Sequence, residues 1–265
     1  MPDDAAAVRF TVLDPYGDGS VSHIESADDA RLSDLYAYPD HLQSCWVRAN
    51  MIASLDGGAT DDGKAGGLAG PGDRAVFALM RQLADVILVG AGTVRIENYS
   101  GAQFSPAQRQ ARQRRGQAEV PPIAVVTNRG VFDHDAKLFT RTEVPPLILT
   151  SAEAVADTHS RLASVAEVID ASGPHSDRVD ATTLLQILAD RKLLRVLTEG
   201  GPQFLGELVD EGLIDELCLT ISPLLVGGAA PRITTGPGAV HTPVRRAHLL
   251  TDDAGYLYSR YVRGR

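Results

Sequence analysis

Two short apolar runs, each closed by glycines, constrain the fold of this chain more than any other feature. Asp85 to Gly90 is an almost continuous apolar run, and Arg195 to Thr198 is a second. Runs this short read as strands. Because successive residues are apolar, both faces must be covered, as in a parallel sheet flanked by helices. Trp46 to Ser54, Ile123 to Thr127, Pro146 to Thr150 and Val165 to Asp170 read as further strands. Gly72 to Ala84, residues 151–163 and 181–191, and the stretch from Pro202 to about Glu211 read as helices between them. Asp215 to Ser222, Arg246 to Thr251 and Tyr256 to Val262 follow one another with only loops between, which predicts an antiparallel C-terminal edge. Asp252-Asp253-Ala254-Gly255 reads as the last hairpin turn. Residues 46–265 are therefore expected to form one α/β domain around a mixed, mostly parallel central sheet flanked by helices. Residues 1–45 read as acidic and irregular, with a short helix from Ser26 to Tyr38 ending before Pro39, and as an extension packed on that domain.

Charge narrows the partners. The net charge is −9, so no basic face of the kind that phosphate-backbone binding needs is expected, and nucleic acid is not a predicted partner. No apolar run approaches the roughly 20 residues of a membrane-spanning helix. Met1-Pro2-Asp3-Asp4 carries no basic flank or apolar core of a targeting peptide, so a cytoplasmic location is expected. Cys45 and Cys218 sit among strand-like residues and read as buried free thiols, with a bridge as the alternative. The seven histidines lie far apart and form no ligand pair, so no metal is expected. Residues 101–119, with Arg109, Arg112, Arg114 and Arg115, read as a solvated helix or mobile loop, or else as a phosphate-steering segment.

The glycine turns carry the candidate chemistry. Gly90-Ala91-Gly92-Thr93-Val94 follows the first buried strand, and a helix starting near Thr93 would aim free N–H groups at a phosphate. A third glycine three places on would make this a Rossmann fingerprint, but Arg95 stands there. Gly200-Gly201-Pro202-Gln203-Phe204-Leu205 follows the second strand, and Pro202 suits the first position of a helix. Glu199 sits between strand and turn. It reads either as a surface or capping residue or as an acceptor for ring N–H donors. Two such turns fit one dinucleotide.

The order and spacing of Ala53-Ser54-Leu55-Asp56-Gly57, Arg81, Ala84 to Val94, Thr198 to Pro202, Asp215-Glu216-Leu217 and Pro223 to Gly228 resemble the reductase half of the bifunctional riboflavin-biosynthesis deaminase/reductase. The resemblance spans residues 46–263. It implies a dihydrofolate-reductase-like fold, NADPH as hydride donor and a homodimer. The implied substrate is 5-amino-6-(5-phosphoribosylamino)uracil. Ile52, Ala53, Gly90 to Val94, Glu97 and the run from Gly200 to Glu207 would line the cofactor, with Asn128 at its adenosine end. Arg81 and Glu199 would face the substrate.

Three departures bear on the substrate. The sequence holds no His-x-Glu followed by Pro-Cys-x-x-Cys, the zinc deaminase signature. Glu97-Asn98-Tyr99 stands where the family often has Asp-Asp-Pro. Ser100 to Phe104 offers no arginine for a substrate phosphate. Asp73 reads either as the N-cap of the helix beginning near Gly72 or, by likeness to dihydrofolate reductases, as the carboxylate that pairs with a pterin ring. Asp73 and Glu199 are thus the candidate catalytic carboxylates, and dihydrofolate is an alternative substrate. A cation must read the cofactor's 2′-phosphate, and Arg95 and Arg129 are the candidates. A non-catalytic NADPH-binding sensor is the alternative from another functional class.

Overall fold

Neighbouring side chains on a strand point to opposite faces, so a strand apolar at every position needs a core on each side. The computed structural model, which describes residues 7–13, 22–25, 30–238 and 240–264, contains both cores. In chain order its elements are β1 (Arg9–Val12), β2 (Ser22–Glu25), α1 (Ala30–Leu35), β3 (Trp46–Ser54), α2 (Pro71–Leu83), β4 (Val86–Gly90), α3 (Ala91–Ile96), α4 (Pro106–Arg114), β5 (Ile123–Thr127), α5 (Lys137–Thr140), β6 (Leu147–Thr150), α6 (Ala152–Leu162), β7 (Glu167–Asp170), α7 (Ala181–Asp190), β8 (Arg195–Thr198), α8 (Pro202–Asp210), β9 (Glu216–Ser222), β10 (Val244–Asp252) and β11 (Leu257–Arg263). A short 3-10 turn, Ala65–Leu68, lies in the loop between β3 and α2.

Among the described residues the strands form one sheet, in the order β2-β1-β10-β11-β9-β3-β8-β4-β5-β6-β7. The run from β9 to β7 is parallel throughout. From β9 to β2 every pairing is antiparallel. The α/β class read from the sequence holds: a mixed, mostly parallel sheet flanked by helices, with an antiparallel C-terminal edge. In β4, Ile87 and Val89 join the core shared with α1, α2, α3, α5 and α6, while Val86 and Leu88 join the one shared with α7 and α8. β5, β6 and β8 alternate in the same way. Each fully buried aliphatic side chain contributes roughly 1.5–3 kcal/mol, which is why aliphatic residues dominate β4, β5 and β6. No helix of the described residues is long and apolar enough to cross a membrane. Cys45 and Cys218 are free thiols.

The N-terminal extension is more regular than its composition foretold. β1 pairs with β10, placing Phe10 opposite Asp252, and β2 pairs with β1, so residues 9–12 and 22–25 widen the sheet. The helix expected from Ser26 to Tyr38 covers only Ala30–Leu35; Ser26 to Asp29 and Met1 to Asp4 lie outside the described residues. Strand pairing supplies what short, polar sequences cannot signal alone.

Within residues 101–119 the expected helix is α4, but one of its arginines is not solvated. Arg112 on α4 is fully buried and donates to the carbonyls of Gln82 (2.8 Å), Ala84 (2.6 Å) and Ala118 (2.8 Å). Gln117 donates to the Leu83 carbonyl at 2.9 Å. These side chains satisfy the carbonyls that the end of α2 leaves unpaired, where no glycine cap is present. Arg109 is paired with Glu143 at the surface.

A buried charge cluster fastens α1 to the sheet. Glu216 on β9 is ion-paired with Arg48 of β3 and, at 2.8 Å, with Arg260 of β11, and it accepts from the Trp46 indole N–H at 3.0 Å. Arg260 also donates to the carbonyls of Leu35 (2.7 Å) and Ala37 (3.1 Å), and Arg48 lies 3.9 Å over the Tyr38 ring. Burial opposes ionisation of Glu216, but Arg48 and Arg260 outweigh it and hold its pKa below the ordinary 4.5. Its stabilising contribution is therefore complete above that value and fades as the pH falls toward the lowered native pKa. Glu216→Gln should cost roughly 3–5 kcal/mol, because it leaves buried arginine charge uncompensated. Urea unfolding across acid pH checks this: the variant should unfold earlier and lack part of the wild type's acid-induced loss. Parallel acid profiles would contradict it.

Candidate active site

β4 and β8 pair in register, Val86 with Val196 and Leu88 with Thr198. The ladder runs on past the strand ends. Glu199 N donates to Leu88 O at 3.0 Å, and Gly90 N donates to Gly200 O at 2.7 Å. The two glycine turns are thereby locked edge to edge. Gly200 has a φ of +88°, which favours glycine. A Cβ on Gly201 would lie 2.6 Å from Thr93 Oγ1, so only glycine lets the turns approach this closely. α3 begins at once after Gly90. α8 begins after Gly201 with Pro202 first, where a missing N–H costs nothing.

The joined turns form one wall of a groove of about 860 Å³. Gly90 to Thr93 and Gly201 to Phe204 line it, and so do Asn128, Arg129 and Arg95, with Pro231 and Thr235 from the β9–β10 connection. First-turn N–H groups of a helix have no partner within it, so the starts of α3 and α8 offer amide donors here. Ligand pockets commonly measure roughly 300–1,000 Å³.

A second cavity of about 440 Å³ meets the groove at Thr93, which lines both. Its walls are Asn50, Met51 and Ile52 of β3, Asp73, Phe77 and Arg81 of α2, the Ala65–Ala69 turn, and Tyr99 and Glu199. Three carboxyl groups line it, and their surroundings differ. Glu199 is buried and takes two hydrogen bonds from Arg81, each 2.7 Å, and one of 2.6 Å from the Tyr99 hydroxyl. Arg81 is stacked 4.3 Å over the Phe77 ring. Burial, and then the Glu199 charge, push the Tyr99 pKa well up, so its hydroxyl stays protonated as a donor. Glu97 accepts from the Ala65 amide at 2.9 Å. The Asp73 pKa is raised. Burial drives it up, against a hydrogen bond from the Thr220 hydroxyl and the nearby Arg74 charge.

These placements sort the residues expected from sequence. Gly90, Ala91, Gly92, Thr93, Gly201, Pro202, Gln203, Phe204 and Asn128 line the groove, and Ile52, Glu97, Asp73, Arg81 and Glu199 line the pocket. Ala53, Val94 and Leu205 line neither; they are buried in the protein, and the strand or helix periodicity turns them inward. Gly200 contributes its carbonyl to Gly90 rather than a surface to the groove. Asp73 is not an N-cap: Gly70 holds that position and Asp73 is the third helical residue. Glu199 was expected to meet ring N–H donors, but Arg81 and Tyr99 already fill most of its capacity. Sequence reasoning missed Tyr99 and Phe77. Tyr99 lies inside the very departure Glu97-Asn98-Tyr99, and a hydroxyl three residues past a helix was the available signal. No group of three or more His, Cys, Asp or Glu among the described residues could hold a metal ion.

Residues 45–258 match the family model of the RibD C-terminal domain. The chain belongs to this family. It is 28% identical over 193 residues to the 2,5-diamino-6-ribosylamino-4(3H)-pyrimidinone 5′-phosphate reductase of Archaeoglobus fulgidus, covering 72% of this chain and 86% of that protein. It is 30% identical over 196 residues to the riboflavin biosynthesis protein RibD of Bacillus amyloliquefaciens, covering 73% of this chain and half of that one. A pyrimidine reductase-like protein from Corynebacterium diphtheriae superposes with a TM-score of 0.76 at 27% identity, over 83% of this chain and 92% of that one. The chain thus spans most of the archaeal family member but only half of the RibD protein.

The Arg81–Glu199–Tyr99 cluster is a fixed part of the pocket wall. Glu199→Gln should cost roughly 3 kcal/mol or more, since it strands a largely buried arginine. Tyr99→Phe should cost roughly 1.5–3 kcal/mol, the worth of one hydrogen bond to a charged group. Chemical denaturation of both variants tests the ranking; a larger loss for Tyr99→Phe would refute it.

Proposed function

We propose that the chain reduces a phosphorylated ribosylamino-pyrimidine of riboflavin biosynthesis, with NADPH as hydride donor. One observation carries the reading: the Gly90 N to Gly200 O hydrogen bond joins two amide-rich turns into a groove that opens, at Thr93, onto a carboxyl-lined pocket. The names of the archaeal and RibD relatives support the substrate class.

The residues present fit a dinucleotide. Gly90, Gly92 and Gly201 line the groove without side chains, which leaves backbone amides accessible where a pyrophosphate would approach. In this reading Gly90 to Thr93 and Gly201 to Phe204 hold the pyrophosphate, and Asn128 meets the adenosine end. Arg95 or Arg129, both lining the groove, reads the 2′-phosphate. When bound, the reduced nicotinamide supplies a hydride to the imine-like carbon of the opened ribose. A proton must reach the adjacent nitrogen. Asp73, with its pKa lifted by burial, holds a proton on a carboxyl oxygen or orients a water that delivers one. Arg81 keeps its charge through Glu199 and presents a cationic, aromatic-backed wall to the pyrimidine. Glu199 acts through Arg81. Ala59, Ala65, Gly66 and Ala69 of the loop 59–69 line the same pocket.

Dihydrofolate is a second reading, favoured by one feature. Asp73 accepts one side-chain hydrogen bond, from the Thr220 hydroxyl, whereas Glu199 is filled by Arg81 and Tyr99 and Arg81 is committed to Glu199. A carboxylate of this kind suits the paired N–H donors of a pterin. Residues 46–265 are taken as the catalytic unit, with residues 1–45 as its extension. A homodimer and a cytoplasmic location complete the proposal; Leu225, 77% exposed beside Leu224, belongs to the apolar loop assigned to the dimer.

NADPH oxidation, followed at its absorbance band, should proceed with the ribosylamino-pyrimidine phosphates and more slowly with dihydrofolate. NADPH binding with no turnover on any of them would replace the reductase reading with a sensor. If protonated Asp73 is needed, the rate should fall as pH rises through a pKa above the ordinary aspartate value of 3.8. Asp73→Asn should lower kcat by about a hundredfold, within the typical worth of a general acid, and erase that limb. An unchanged profile would remove Asp73 from the mechanism.

A further inference from the structure

Asp56 lies outside both cavities, yet its carboxylate ties together the segments that wall them. Oδ1 accepts the Ser54 hydroxyl at 2.5 Å and the Val226 amide at 3.2 Å, and Oδ2 accepts the Gly227 amide at 2.7 Å. Two of these donors belong to the β9–β10 connection, a long segment with no helix or strand among its described residues. The same segment reaches Pro231 and Thr235, the outer wall of the groove. Behind the clip, Leu55 N donates to Leu224 O and Ala59 N to Pro231 O, at 2.9 and 2.8 Å. Val226 packs against Gly58, where a Cβ would lie 2.7 Å from the valine methyl. Farther on, Thr235 N donates to Pro202 O at 3.0 Å, so the wall ends against the start of α8.

We propose that Asp56 is a positioning residue: by clamping Val226 and Gly227 it sets the outer wall of the dinucleotide groove, and so governs nucleotide affinity without touching the nucleotide. This rests on the reductase reading for the identity of the ligand, though not for the clamp. A loop anchored by few apolar contacts samples open arrangements unless polar ties hold it. Asp56 has two oxygens and three donors, and no neighbouring side chain in the turn can replace it. The Ser54 hydroxyl, then the Gly227 and Val226 amides, hold its pKa down to about 2, so it stays a full acceptor at working pH. The pocket side depends on it less. Gly58 is also held through Ser54 N to Gly58 O at 2.8 Å, a backbone bond that involves no Asp56 atom.

Asp56→Asn tests this. The amide keeps one acceptor but turns an N–H toward a backbone N–H, so the clamp opens with little change of volume. In the nucleotide-free protein, hydrogen exchange of residues 224–235 should quicken while β3 and β9 stay protected. Direct titration should show NADPH binding about tenfold weaker, as expected if the competent wall is populated about a tenth of the time. KM for the pyrimidine should stay near the wild-type value. Asp56→Ser, which removes the charge and the second acceptor, should weaken NADPH at least as much. Unchanged exchange, or quickened exchange with wild-type NADPH affinity in both variants, overturns the proposal. So does an equal loss of NADPH and pyrimidine binding accompanied by a lower global unfolding midpoint. A wild-type protein that binds no NADPH defeats the reductase reading instead, and the exchange data then judge the clamp alone.

Discussion

The site depends on two backbone hydrogen bonds that carry the β4–β8 ladder past the ends of its strands. Without Glu199 N to Leu88 O and Gly90 N to Gly200 O, two glycine turns would merely share a sheet edge. With them, the starts of α3 and α8 are held side by side, and the amides that each helix cannot use internally line a common groove. The same extension of the ladder fixes Glu199 at the floor of the neighbouring pocket. A parallel sheet needs both faces covered, so helices must begin close to its strand ends, and ligands gather there in open α/β sheets. The position of the groove follows from the sheet; the closeness of its two turns follows from glycine at 201.

Two buried charge clusters serve this frame in different ways. Buried ion pairs add little net stability, because desolvation consumes most of the attraction. Their value here is geometric. Glu216, gripped by Arg48 and Arg260, joins β3, β9 and β11 and, through the carbonyls of Leu35 and Ala37, the N-terminal extension. Glu199, gripped by Arg81 and Tyr99, joins β8, α2 and the segment after α3 at the boundary of the pocket. Arg112 supports the second cluster from behind. By taking carbonyls at the end of α2, it fixes the turn from which Arg81 reaches Glu199.

Legibility of these features in the sequence varied with how local their physics is. β3, β5 and β8 begin and end where apolar periodicity and turn residues put them, since both signals are written in consecutive residues. The hairpin at Asp252–Gly255 was legible for the same reason, with Gly255 at a φ of +86°. β1 and β2 were not, because four-residue polar strands exist only through their partners. The glycine turns pointed to a groove, and their residues line it. Val94 and Leu205 failed as groove residues because proximity in sequence says nothing about which side of a helix a residue occupies. Arg112 looked like surface charge; only the unpaired carbonyls of a distant helix end explain its burial. Glu199 was found, but its partners Arg81 and Tyr99, 118 and 100 residues away, were not seen to converge on it.

The acidity of the chain is no obstacle to an anionic ligand, because the groove relies on dipoles rather than net charge. A net charge of −9 raises a repulsive field at long range, but that field is screened within roughly 8 Å at physiological ionic strength. Inside the groove the relevant groups are the first-turn amides of α3 and α8, with Arg95 and Arg129 at the margin and Glu207 as the opposing charge. Neutral amide donors aligned by the ladder pay no desolvation penalty comparable to that of a buried cation. The pocket next door has the opposite character: its one deep cation is neutralised by Glu199, and Asp73 keeps a raised pKa. Amide donors on one side of Thr93 and carboxyl groups on the other give the two cavities opposite electrostatic character, which suits the proposed dinucleotide and heterocycle. The close approach of the two turns then does more than bind; it sets the polarity of the whole site.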